Sequence, residues 1–142
     1  MREKARKRGL NIRDAHAENL PFKDLSYHLV LMVFCISYFE NLHEAFKEAY
    51  RVLKDEGVLI VGFIDKNSTI GEFYESRKPE SVFYKHANFY SVDRVTEELK
   101  KVGFKGLTYS QTLFHSLDDI EEIETPQSGY GQGSFVLIKA IK

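Results

Sequence analysis

Ala17-Glu18-Asn19-Leu20-Pro21-Phe22, an apolar stretch over residues 27–39, and Glu48-Ala49-Tyr50-Arg51-Val52-Leu53-Lys54 follow one another in this chain, and their reading decides the fold. The first is a turn, because Pro21 disfavours helical geometry at Leu20 before it. Within the second, Leu29-Val30-Leu31-Met32-Val33-Phe34 is too short for a buried helix between turn signals and reads as a strand covered on both faces. Asn41 can cap a helix with Glu44 reaching back, and Leu42, Ala45, Phe46, Ala49 and Leu53 repeat at helical spacing until Gly57 ends it. Residues 58–64 make a second buried strand. Strand, helix and strand over 29–64 form one parallel crossover unit, which is right-handed in nearly all proteins.

Outward from that unit, residues 2–8 are strong helix formers stopped by Gly9, and residues 10–15 read as a short strand. Ile70, Phe73 and Tyr74 predict a short amphipathic turn. Ser91 opens a helix whose apolar face is Val92, Val95, Leu99 and Val102, with Lys100 and Lys101 late to match the helix dipole, and Gly103 closes it. Residues 104–114 and 134–141 alternate as two strands, antiparallel and at a sheet edge, joined by an acidic, Gly-rich connection. No internal repeat or domain boundary interrupts the chain.

Composition sets limits on function. With 142 residues, 43% apolar and 13% aromatic, the chain can build a real core, and a net charge of -1 gives no long-range pull toward nucleic acid or an anionic membrane. Two short charge runs, a basic one over 1–9 and an acidic one over 118–124, read as solvated faces. The single cysteine, Cys35, sits in an apolar run as a small hydrophobe, and the five histidines lack ligand spacing, so no metal site is named. The longest apolar run is far short of the roughly 20 residues that a membrane span needs, and no apolar leader follows the basic start. The expectation is a cytoplasmic protein.

The A-E-x-L-P-F turn, the buried strand and the E-x-x-R-V-L-K helix end resemble the second half of class I S-adenosylmethionine-dependent methyltransferases, most closely the small-molecule group related to ubiquinone and menaquinone methylation. The resemblance covers essentially the whole chain. It implies an α/β fold, a Rossmann-like methyltransferase sheet with family strand order 3-2-1-4-5-7-6 that lacks the first two strands here and ends in a C-terminal antiparallel hairpin. Residues 1–142 would then be a single incomplete methyltransferase domain.

The resemblance further implies S-adenosylmethionine as cofactor, lying across the carboxyl ends of the strands. Ala17, Glu18 and Asn19 would meet the adenine edge, Met32, Val33 and Phe34 the methionine part, and Tyr38 stands where many relatives have His. For a small-molecule substrate it implies Asp65, Tyr74, Tyr84 and Tyr90, with Phe73, Phe83 and Phe89 completing an apolar pocket. The plain structural reading of the same residues is a solvated turn at 16–19 and aromatic core packing elsewhere. Aligning acceptor, methyl and sulfonium supplies most of the acceleration in methyl transfer, so no catalytic base is named.

The pattern also departs from the family. A G-x-G-x-G turn and an acid after the second strand would precede Met1, and Gly129-Tyr130-Gly131-Gln132-Gly133 is no substitute, because a strand and not a helix N-terminus follows it. His16 and His28 stand where relatives have Asp, and Glu56 replaces a turn glycine. The expectation is a methyltransferase-family protein acting on a small molecule, weakly active or inactive alone. The alternative is a non-catalytic scaffold or accessory module. In either case strand 29–34 would be an open edge, inviting self-association or a partner.

Overall fold

Asn41 opens the central helix as its type requires: its Oδ1 accepts the Glu44 N–H at 3.2 Å, and α2 (Leu42–Val52) buries Leu42, Ala45, Phe46, Ala49 and Val52 along one stripe. The computed structural model describes residues 2–116, 118–120 and 122–142; Met1 of the basic run and Glu121 of the acidic run lie outside the described residues. Before α2 come α1 (Arg2–Lys7) and β1 (Tyr27–Val33), and after it β2 (Leu53–Ile64), α3 (Thr69–Arg77), α4 (Val92–Val102), β3 (Lys105–Thr112), β4 (Gln127–Ser128) and β5 (Phe135–Ile141).

The five strands make one sheet in the order β1-β2-β5-β3-β4. β1 and β2 are parallel, while β5 is antiparallel to both β2 and β3. Through β3 this is the order expected of the family's fourth, fifth, seventh and sixth strands. Helices α2 and α4 cover one face, where Met32, Leu59, Val61, Phe63, Val136, Ile138 and Ala140 join Phe46, Val95 and Leu99 in the core. The alternate residues of β1, Leu29, Leu31 and Val33, face the other way and stay exposed.

Four expectations change. The helix stops at Val52, not at Gly57, because Leu53 turns extended and drops its side chain wholly into the core, so β2 starts at once. Glu56, at φ 60, and Gly57 then sit in an irregularity where β1 moves from Leu53 to Val58 in register. Among the described residues, 10–15 form no strand of the sheet, and an isolated bridge joins His16 to Asn19 just after them. The turn at Ile70 is a nine-residue helix, α3, capped by Ser68 Oγ on the Gly71 N–H at 3.1 Å. Finally, β1 is not covered on both faces, since Leu29, Leu31 and Val33 stay exposed on one of them. β5 is inserted between β2 and β3, as the family order has it, and its alternate residues Val136, Ile138 and Ala140 are buried on the helix side.

Candidate functional site

β1 and β2 run parallel and end side by side, so the chain must leave both at one crevice. It leaves β1 through Phe34, whose backbone is left-handed at φ 55 and whose N–H donates to the Gly62 carbonyl at 2.9 Å. Its ring stacks on Phe135 with centroids 5.0 Å apart. Leu113, just past β3, is left-handed too at φ 61. Such conformations persist in non-glycine residues only where surroundings over-determine them, and they gather at binding sites.

Phe34 and Leu113 line one cavity of about 380 Å³ together with Ser37, Tyr38, Phe63, Ile64, Ile70, Tyr74, Tyr84 and Phe89. Helix α3 and the segment 78–90 roof it. Tyr74 stacks on Tyr84 at 4.9 Å, and Phe89 packs 5.8 Å from Tyr84. The roof is fastened to the turn after β1: the Tyr38 hydroxyl donates to the Phe83 carbonyl at 3.3 Å and the Asn88 N–H to the Ser37 carbonyl at 2.7 Å. Burial, and after it the neighbouring Tyr84, pushes the Tyr74 phenol up, so it is neutral at physiological pH. Among the described residues no Asp, Glu, Lys, Arg or His lines it, so the lining presents rings, methyl groups and hydroxyls.

The residues singled out in the sequence divide between places. Tyr74, Tyr84, Tyr38 and Phe34 meet in this cavity, where the Tyr38 hydroxyl also fastens the roof. Asp65 and Tyr90 do not line it. Asp65 is buried in the turn before α3, its Oδ1 accepting the Asn67 N–H at 3.2 Å and its carbonyl the Ser68 hydroxyl at 2.6 Å. Tyr90 packs on the core, and burial pushes its phenol up. Strand alternation sends Met32 into the helix-side core and leaves Val33 on the opposite face. Ser37, Ile64 and Leu113 had no signal in the sequence, because each is a site residue only through the elements that meet there.

The 16–19 turn lies against the start of α2. Glu18 Oε1 accepts the backbone N–H groups of Glu40 and Asn41 at 2.8 and 3.2 Å, so this carboxylate is spent on the protein's own loop, immediately after the turn that carries Tyr38. Asn19 is exposed, its carboxamide making no hydrogen bond among the described residues. A carboxamide and turn backbone suit the edge of an adenine, and the exposed Phe34 ring suits the cationic, methyl-bearing sulfonium. These groups are compatible in chemistry with both ends of S-adenosylmethionine.

Comparison with known proteins agrees. The profile of a methyltransferase domain matches residues 1–61. The crystal structure of a SAM-dependent methyltransferase from Thermotoga maritima, described as a possible histamine N-methyltransferase, is 45% identical and superposes with a TM-score of 0.96 over 100% of this chain and 69% of that one. An uncharacterized protein of Methanocaldococcus jannaschii is 43% identical over 97% of this chain and 67% of its own length. A demethylmenaquinone methyltransferase of Chlorobaculum tepidum is 30% identical over 79% of this chain and 55% of its own length. The chain thus spans about half to two thirds of the length of these relatives. By its sheet order, its crevice and these matches, the chain belongs to the class I S-adenosylmethionine-dependent methyltransferases, a family whose cofactor is S-adenosylmethionine.

Proposed function

We propose that this chain serves methyl transfer from S-adenosylmethionine to a small, uncharged, ring-containing acceptor, in the cytoplasm, and that the aromatic cavity is the acceptor site. The observation that carries this reading is the cavity itself, roofed by Tyr74, Tyr84 and Phe89 at the carboxyl end of the parallel pair, without a charged side chain in its lining. When bound, S-adenosylmethionine supplies an electrophilic methyl group. The protein's part is to hold the acceptor ring between Phe34 and the roof, to exclude water, and to leave the acceptor's own lone pair as nucleophile. The neutral phenols can donate hydrogen bonds that orient a hydroxyl or carbonyl on the acceptor.

Calorimetric titration of the chain with S-adenosylhomocysteine, repeated with planar phenols and with organic cations, tests the reading. Micromolar uptake of the cofactor product, followed by uptake of a phenol in preference to a cation, is the expected result. No uptake of S-adenosylhomocysteine overturns it.

A second reading, a non-catalytic interaction module, is favoured by one observation: among the described residues the outer edge of β1 has no partner strand, and Leu29 and Leu31 are 54% and 62% exposed. We propose that a second copy pairs there, β1 against β1, because residues 29–34 carry neither charge nor proline to prevent it. Light scattering after size exclusion should give a dimer that Leu31→Lys converts to monomer. A wild-type monomer across the concentration range sinks this proposal.

A further inference from the structure

Residues 16–26 form no strand, yet they are fastened at both ends to α2. At the front Glu18 holds the N–H groups of Glu40 and Asn41. At the back Glu48 and Arg51 close a two-point ion pair, Nε to Oε1 at 2.7 Å and Nη2 to Oε2 at 2.7 Å. Glu48 Oε2 also accepts the Leu20 N–H at 2.7 Å. Arg51 donates to the Leu20 carbonyl at 3.1 Å, the Phe22 carbonyl at 2.8 Å and Asp24 Oδ1 at 2.6 Å. Each guanidinium N–H thereby has an acceptor, three of them on the 20–24 segment. Leu25 accepts a left-handed backbone at φ 54 to bring its own N–H onto the Arg51 carbonyl at 3.0 Å.

The pair holds its charge. Its hydrogen bond to Arg51 keeps the Glu48 carboxyl below the usual carboxylate range, and the side chains are only 17% and 31% exposed. A lysine at position 51 could not reach these acceptors together, because its donors radiate from one nitrogen and are not a planar fork.

We infer that Glu48 and Arg51 are positioning residues for the adenosyl end of the cofactor site: α2, and not a neighbouring strand, carries Ala17, Glu18 and Asn19 to the crevice, and this pair sets where they stand. The inference rests on the cofactor reading proposed above. Its physical content is that the adenine-edge turn is already fixed before ligand arrives, which removes the ordering cost from binding.

The test measures dissociation constants for S-adenosylhomocysteine and for adenosine with the full chain, in wild type, Arg51→Lys, Glu48→Gln and a control, Val95→Ala, whose substitution opens the core away from the turn. Thermal midpoints are measured for all four, and amide exchange is followed at Leu20. Arg51→Lys should weaken both ligands by the same factor, about tenfold, the equivalent of about 1.4 kcal/mol, with faster exchange at Leu20. Val95→Ala should lower the midpoint and leave both affinities within about twofold, well inside the factor of ten that separates the outcomes. Equal affinities in wild type and Arg51→Lys overturn the inference and leave the cofactor reading standing. So does an affinity loss in the control as large as in Arg51→Lys. Wild type that takes up neither ligand overturns the cofactor reading and this inference with it. Should Arg51→Lys not fold, Glu48→Gln, which keeps an acceptor near Leu20 but loses the ion pair, carries the same comparison.

Discussion

The two faces of the sheet are built by the same strands from alternate residues, and their fates differ. On one, Leu59, Val61, Val136 and Ile138 are 0% exposed beneath α2 and α4; on the other, Leu29 and Leu31 of β1 stay open although they are no less apolar. What separates them is a covering layer. Burial is a property of what lies above a strand, so an apolar run in the sequence states a capacity to be buried and not the fact of it.

Substitutions can break or sharpen that contrast. Phe46→Ala, in the helix layer, should cost about 3–5 kcal/mol, because a fully buried ring leaves a cavity that closes only in part; a shift in denaturant midpoint measures it. Were the loss under about 1 kcal/mol, in the range of an ordinary surface site, the covered face would not be the stabilising one.

Glu98 tests how the helix layer is joined. Its carboxylate, 5% exposed, meets His43 Nδ1 of α2 at 2.9 Å, Arg94 Nη2 at 2.9 Å and Lys101 Nζ at 3.3 Å. Burial pushes this carboxyl up, but the His43 and Lys101 hydrogen bonds and the nearby Arg94 and Lys101 charges outweigh it, and the net direction is down. A lowered folded-state value means that the stabilisation is full above the unfolded carboxylate value of about 4.3 and is lost as pH falls through the folded one. Glu98→Gln should therefore cost about 1–3 kcal/mol at pH 7 and converge with wild type in acid. Parallel stability curves for the two proteins from pH 7 to pH 3 would remove Glu98 from that role.

The roof over the aromatic cavity is held more lightly than the helix layer. Tyr38→Phe removes one neutral, exposed hydrogen bond to Phe83 and should cost about 0.5–1 kcal/mol, with faster amide exchange across the 83–89 segment. Unchanged exchange there would mean that the Asn88 contact with Ser37 alone fastens the roof. Smallest of all, Leu31→Ser on the open face should alter monomer stability by no more than about 0.5 kcal/mol. A loss as large as that of Phe46→Ala, measured below any dimerisation concentration, would show that the open face is covered in solution.

The sequence by itself determined what depends on neighbours in the chain. Asn41, Ser91 and Gly103 set helix ends, the 3.6-residue repeat set the faces of α2 and α4, and the ordered motifs from Ala17 to Lys54 marked the family. The family resemblance also implied Tyr74 and Tyr84 for a substrate pocket, and both line the same cavity. Only the tertiary structure decided that, among the described residues, 10–15 join no strand of the sheet, that Asp65 and Tyr90 lie outside the pocket lining, and that Leu113 belongs to it. The same holds for Glu48 and Arg51, which the sequence marks merely as part of a helix end. Their partners on the 20–24 segment lie more than 25 residues earlier: the Leu20 N–H donates to Glu48 across 28 residues of chain. Propensity and periodicity act over one or two turns of chain, whereas a guanidinium finds its acceptors by proximity in space, which the packing of the whole domain supplies.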